Sequence, residues 1–382
     1  MNKLQKYSKL IATCQELIRI NTENPPGNEN ALVDYCKDKL SDLGAEIEII
    51  RHSANRSSLI AKWEGPNKGK QILIACHADT VPVGRRESWQ RDPFSAEVNE
   101  DRIIGRGASD MKSGIAVVLS ALKVIKSKKT KNTIVFVLTA DEECDGIGVI
   151  SILDPRYGIS PDFVMVPEPT ENNIAIAEKG TLWVELQVRG TSGHAATPNI
   201  GENAIQKMTK LVMGFQFSNF ETAYHSLLGN FSSCITTIQG GEKINIIPDL
   251  CKSTFDMRIL PGQSIDAIMT SIEKQANAIL GKNDFQNLKI KALLKRNPIE
   301  SKRESIYVNK VIEIVTQIKK DVKIIGVPYF SDAAILVSHY NVPFVICGPG
   351  SIIKMHADEE YVEIQNMIDS YKIYRSLLES FL

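Results

Sequence analysis

The sequence predicts an α/β fold: a mostly parallel sheet with helices on both faces, interrupted by an inserted α+β domain of ferredoxin-like order. Three observations lead there. Short apolar runs at 133–139 and 163–166 alternate with helical patterns such as 114–127, as strands buried on both faces of a parallel sheet do. From about residue 182 the order becomes strand, helix, two strands, helix, strand, which is the ferredoxin-like succession. The chain, at 382 residues, is also longer than one hydrophobic core usually supports.

Taken in order, 4–20 places apolar side chains at helical spacing until Pro25, Pro26 and Gly27 break the pattern. A second amphipathic helix covers 31–43 and stops at Gly44. Strand-like runs follow at 46–50, 58–63 and 71–75, then a helix over 114–127 and the two apolar strands already named. The insert reads as strand 183–189, helix 203–215, strands 234–239 and 253–259, helix 265–280 and strand 288–294. A helix over 305–319 and a strand over 344–347 return the chain to the parent sheet. The expected domains are therefore 1–181 with 297–382, and 182–296.

Composition narrows the function. Forty-five basic and forty-five acidic side chains cancel, so no global field draws nucleic acid or an anionic membrane surface. No stretch approaches the roughly 20 apolar residues that span a bilayer, and the amphipathic N-terminal segment lacks the apolar core of a signal peptide. Seven cysteines without CxxC spacing argue against a disulfide framework or a thiolate zinc site and fit a reducing, cytoplasmic setting. Cys76 and Cys144 read as small core residues.

Chemistry concentrates at strand ends and glycine turns, where active sites of parallel sheets gather. His77 and Asp79 end the run QILIACHAD. On a straight strand they share a face, so Asp79 can steady the His77 ring, although HxD is equally a hydrogen-bonded surface pair. Asp110 lies in GRGASDMKSG: alone it reads as an N-cap acid, while the functional reading is a carboxylate bridging two metals. Glu142 and Glu143 follow the strand TIVFVLT. Two adjacent buried acids repel unless a cation compensates them, and neighbouring side chains diverge. Glu143 is then a ligand, and Glu142 is the general base facing water. A solvated acidic turn looks the same. Glu168 stands between Pro167 and Pro169, a stiff mount for a ligand or a plain turn. His356 follows the turn CGPGS, where a lone histidine is often just solvent-facing. His52, His225 and His339 have no such setting. Together these are borderline and hard ligands suited to two divalent ions.

In this order, from IRINTENPPGNE to MHADEEYVE, the segments resemble the M20 family of metallopeptidases and aminoacylases, whose members include acetylornithine deacetylases, succinyl-diaminopimelate desuccinylases and glutamate-removing carboxypeptidases. The resemblance covers essentially the whole chain. It implies that His77 and Glu168 bind one metal, Glu143 and His356 the other, and that Asp110 bridges them. Asp79 orients His77, Glu142 is the base, and the Asp110–Met111 peptide is cis. Zinc is the expected metal, with cobalt or manganese as alternatives. The parent sheet is then the catalytic domain, and the insert is a lid and dimerisation domain of a homodimer. Within the insert, the resemblance gives His194 in SGHAATP to the oxyanion, Asn245 in KINIIP to the substrate, and Arg258 in FDMRILPG to a substrate carboxylate.

The expected function is hydrolysis of the amide of a small N-acyl amino acid by a two-metal deacetylase or aminoacylase. A dipeptidase or glutamate-type carboxypeptidase and a carbamoyl-amide hydrolase stay open, and so does a metal-free binding protein on the same scaffold.

Overall fold

The structure, a computed structural model, describes residues 3–66, 69–127, 130–221 and 223–382. It comprises two compact units. The first is Met1–Ile176, Glu300–Ile325 and Ser331–Leu382, and the second is Ala177–Ile299 with Gly326–Phe330. The chain thus changes unit at 176/177, 299/300, 325/326 and 330/331; the boundaries expected from sequence are 181/182 and 296/297.

After a single helical turn at Lys3–Lys6, the first unit continues with α1 (Ser8–Arg19) and α2 (Asn30–Ser41). Leu10, Ile11, Cys14, Leu17 and Ile18 recur at helical spacing on α1 and are all buried, which is why this stretch forms a helix against a core. Next come β1 (Glu46–Arg51), β2 (Ser57–Trp63) and β3 (Gln71–His77), then α3 (Lys112–Leu122), β4 (Thr133–Thr139) and β5 (Phe163–Pro169). β3 lies between β4 and β5 and is parallel to both. Covered on both faces, these three strands read as continuous apolar runs. Beyond β4 the sheet turns antiparallel through β2 and β1.

The second unit contains β6 (Gly180–Arg189), α4 (Ala204–Gly214), β7 (Ser232–Gly240), β8 (Leu250–Ile259), α5 (Ile265–Leu280) and β9 (Leu288–Arg296). The strands run in the order β7-β8-β6-β9, all antiparallel, which is the ferredoxin-like arrangement. Alternate residues of β6 and β8, among them Leu182, Val184, Phe255 and Met257, pack with Met208, Leu211, Ile268 and Ile272 of the two helices. One face of the sheet is thereby buried, and the period-2 pattern follows.

Back in the first unit, α6 (Ile306–Ile318) and α7 (Asp332–Tyr340) lead to β10 (Phe344–Gly348), which pairs in parallel with β5. The chain closes with α8 (Ile364–Phe381), packed against α3 and α6. Neither α7 nor α8 was assigned from sequence. Short strands Glu97–Asn99, Arg102–Ile104 and Tyr361–Glu363 form a separate small sheet. Among the described residues, no helix is long and apolar enough to cross a membrane.

Candidate metal centre

Three parallel strands deliver the first components. His77 is the last residue of β3 and Glu168 the last but one of β5, while Glu142 and Glu143 lie just beyond β4. Two loops supply the rest. Asp110 precedes α3, and His356 stands in the segment between β10 and α8 with a left-handed φ of 59°. That segment is drawn tightly against the Asp110 turn, because a Cβ on Gly350 would sit 2.2 Å from the Ser109 carbonyl oxygen. Glycine is the residue that permits this approach.

All seven sequence-predicted residues of this unit come together. His77 Nε2 is 3.0 Å from Asp110 Oδ1 and 3.3 Å from Glu168 Oε1. His356 Nε2 is 3.2 Å from the other Asp110 oxygen, Oδ2, and 3.2 Å from Glu143 Oε2. Asp110 therefore faces two histidines with its two oxygens, and the trios His77–Asp110–Glu168 and Asp110–Glu143–His356 each gather their ligand atoms within 4.8 Å. A third grouping joins His77 to Glu142 and Glu143. Asp110 does not cap α3, which has no side-chain cap. The peptide between Asp110 and Met111 is cis.

Asp79 differs in detail from the expectation of a carboxylate leaning on His77. The nearest partner of His77 Nδ1 is the Asp79 carbonyl oxygen at 3.0 Å, and the carboxylate is 3.7 Å away, beyond hydrogen-bond reach. β3 ends at His77, so the alternation that would align the two side chains stops there. The Asp79 carboxylate instead accepts the backbone N–H groups of Glu142 (3.1 Å) and Glu143 (3.2 Å) and the amide of Asn24 (2.8 Å). It ties the two ends of neighbouring strands together.

The cluster holds five carboxylates against two imidazoles, nearly all out of water. Burial pushes Glu168 up to about 8, with the nearby Asp110 carboxylate adding to it. Burial likewise drives Glu142 well above the usual carboxylate range, reinforced by Glu143, Asp332 and Glu168. For His77, burial alone would lower its pKa, but the surrounding carboxylates outweigh it and hold the ring well above its usual value. His356 is pushed up to about 10 in the same way by Asp110 and Glu143. Asp110 is held low against its burial by the two histidines.

These residues fit metal ions. Among the described residues, Glu143 Oε1 and Glu168 Oε2 are buried without a hydrogen-bond partner, a costly state for a carboxylate oxygen unless a cation faces it. Imidazole nitrogens with carboxylate oxygens are the donor set of zinc and its neighbours.

The remaining three sequence-predicted residues belong to the second unit. His194, on the short strand Gly193–His194, and Asn245, in the turn just before its partner strand Ile246–Ile247, are both exposed, with the Ala195 N–H donating to the Asn245 carbonyl at 3.1 Å. Arg258, on the inner strand β8, is gripped by Asp256 at 2.8 Å and donates to Thr181 Oγ1 at 3.1 Å. Sequence reasoning missed the supports behind the centre: Asn24, Arg106 and Glu360. Asn24 and Glu360 sit in segments rich in acids and turn residues, and only the fold distinguishes them from loop polarity.

Comparison with known proteins agrees with this geometry. The sequence profile of Peptidase family M20/M25/M40 matches residues 73–380. An acetylornithine deacetylase of Buchnera aphidicola subsp. Schizaphis graminum is 30% identical over 395 residues, covering 99% of both chains. A probable succinyl-diaminopimelate desuccinylase of Staphylococcus aureus is 25% identical, covering 96% of both. Among solved structures, an M20 family metallo-carboxypeptidase from Sulfolobus solfataricus shares the fold with a TM-score of 0.84 at 18% identity, over 100% of this chain and 99% of that one. With the profile spanning most of the chain, the protein belongs to peptidase family M20/M25/M40 and is a metal-dependent hydrolase of amide or peptide bonds.

Proposed function

We propose that the chain is a two-metal amidohydrolase that removes the acyl group of a small N-acyl amino acid, in the manner of a deacetylase or aminoacylase. One observation carries the metal roles: Asp110 turns one oxygen to His77 and the other to His356, beside two carboxylates each with an unpartnered oxygen. His77 and Glu168 would hold one ion and Glu143 and His356 the other, with Asp110 contributing to both. Two divalent ions there, zinc in this proposal with cobalt or manganese as substitutes, supply Lewis acidity toward the scissile carbonyl and toward water.

The protein's own groups do the rest. Glu142, a buried carboxylate whose proton affinity is raised by that burial, acts in its ionised form: it takes a proton from the attacking water and passes it to the leaving nitrogen. Asp79 fixes the backbone of Glu142 and Glu143 and thereby the direction in which each carboxylate points. In the second unit, Arg258 is preorganised by Asp256 and Thr181 and anchors the free carboxylate of the substrate through its fork of donors. His194 steadies the oxyanion, and Asn245 contributes to substrate binding. The first unit is the catalytic domain and the second a lid and dimerisation domain of a cytoplasmic homodimer. Two relatives aligned over nearly their whole lengths, named as a deacetylase and a probable desuccinylase, support the acyl-amino-acid reading. The dipeptidase and carboxypeptidase readings rest on likeness of fold.

The test is a hydrolysis screen of N-acetyl amino acids against dipeptides with added zinc or cobalt, run beside Glu142→Gln. N-acyl amino acids are turned over, and E142Q keeps its metal while kcat falls by about 10²- to 10⁴-fold. Unchanged turnover in E142Q removes Glu142 from the mechanism. Preference for dipeptides moves the chain to the peptidase branch.

A further inference from the structure

We propose that Glu360, anchored by Arg106, is a positioning residue that fixes the Asp110 turn relative to the His356 loop and so sets the spacing of the two halves of the metal centre. This rests on the metal roles proposed above.

Glu360 is 1% exposed and lies four residues beyond His356. Its Oε1 accepts the backbone N–H groups of Ser109 at 2.7 Å and of Asp110 itself at 3.0 Å. Its Oε2 accepts the Gly107 N–H at 3.0 Å and Arg106 Nη1 at 2.7 Å. The Gly105 N–H donates to the Glu360 carbonyl oxygen at 2.8 Å. One residue thus gathers most of the main-chain donors of the Asp110 turn. Arg106, 2% exposed, reaches onward: Nη1 also donates to the Ala357 carbonyl and Nη2 to the Pro82 carbonyl, each at 3.2 Å. On the other side of His356, Ser109 Oγ donates to the Ser351 carbonyl at 3.0 Å and accepts the Ser351 N–H at 2.8 Å. The loop that carries His356 is therefore tied on both flanks to the turn that carries Asp110.

The bonds of the Glu360 side chain go to main chain and to Arg106, so it acts through Asp110 rather than on a substrate. A charged acceptor is required. A glutamine amide would present two donors, and either orientation turns them toward two groups that are themselves donors.

The experiment titrates metal-free wild type, Glu360→Gln and Ser109→Ala with cobalt(II), reading visible absorption, and then compares kcat and KM. For E360Q, cobalt affinity falls by about 10- to 100-fold, as for other groups that orient metal ligands. Its absorption band shifts, and kcat drops while KM changes little. S109A leaves every bond of Glu360 in place, because Glu360 accepts the Ser109 main-chain N–H, and reads only the Ser351 flank of the loop, with a smaller weakening. Glu360→Asp, titrated in the same way, keeps the charge but shortens its reach, and carries the test with a weakening of the same sign if E360Q does not fold. E360Q, or E360D in its place, matching wild type in affinity and spectrum overturns the inference alone. A wild-type chain that takes up no cobalt overturns the metal roles, and this inference with them.

Discussion

The two halves of the metal centre are built from different materials. His77, Asp110 and Glu168 are all buried, and His77 and Glu168 stand at the ends of adjacent parallel strands. The other trio shares Asp110 but draws on Glu143 and on His356, whose side chain is 48% exposed and whose backbone is in the left-handed region. Apart from the shared Asp110, the first half takes both of its ligands from the sheet, whereas the second takes Glu143 from beyond a strand end and His356 from a loop. A sheet-borne ligand loses little freedom when it binds, whereas a half-exposed loop residue must be held by its surroundings. The inner half is expected to bind its ion more tightly and the outer half to exchange it.

The largest effect that could break this contrast comes from the two histidines. His356→Ala removes the loop ligand and leaves His77, Asp110 and Glu168 in place, so metal content falls from about two ions per chain to about one. His77→Ala removes the imidazole nearest to Asp110 and Glu168, and metal content falls below about one, because the shared Asp110 loses its inner neighbour. Elemental analysis of the two purified variants decides. Equal losses would mean that the halves bind as one unit.

Acidity sharpens the contrast further. In the metal-free chain Glu168 is held up near 8 and Glu142 well above the usual range, each chiefly by burial. The folded state thus keeps protons that the unfolded chain releases near 4.5, the ordinary value of a glutamate. A folded state that binds more protons loses stability as pH rises, so the two glutamates make metal-free stability decline from about pH 4.5 to about pH 8. His77 and His356, held above their usual values by the carboxylates, act in the same sense at higher pH, while Lys112, pushed down to about 7 by burial, works in the opposite sense. Metal takes the deprotonated ligands, so its affinity rises with pH while protons are released. Denaturant titrations with and without zinc should show the metal-induced gain widening from pH 5 to pH 7. A gain independent of pH would mean that these carboxylates are already ionised without metal.

What could be read in advance follows the same division. The strand-borne ligands were legible because an apolar run ending in an acid or a histidine marks both the strand and its functional end, as for His77 and for Glu142 with Glu143. His356 was harder to read, since a histidine in a glycine-rich loop has the same local pattern whether it faces a metal or solvent. The exact partner of His77 was not legible, because a register argument cannot know that β3 stops at that residue. Glu360 and Asn24 lie about 250 and 55 residues from the groups they support, separations at which local pattern carries no signal. Helix α8 is a different case. Its buried Met367, Ile368, Ile373, Leu377, Leu378 and Phe381 recur at helical spacing, so the information was present although no element had been assigned there.

The smallest effect tests whether the halves share a common support. Asn24 is 3% exposed and its Nδ2 donates to Asp79 at 2.8 Å and to Asp141 at 2.9 Å. Asp79 in turn touches the inner half through its carbonyl at His77, and the outer half through the Glu143 N–H. Asn24→Ala leaves two buried carboxylates without that donor, although Arg56 still pairs with Asp141 at 2.8 Å. The loss of such a buried donor costs about 1 to 3 kcal/mol, read as a lower denaturant midpoint. Because Asp79 keeps its two backbone donors, both ions are retained and kcat falls only a few-fold. If N24A instead sheds the outer ion alone, Asp79 steadies Glu143 more than His77. The contrast between sheet-held and loop-held halves then extends into their supports as well.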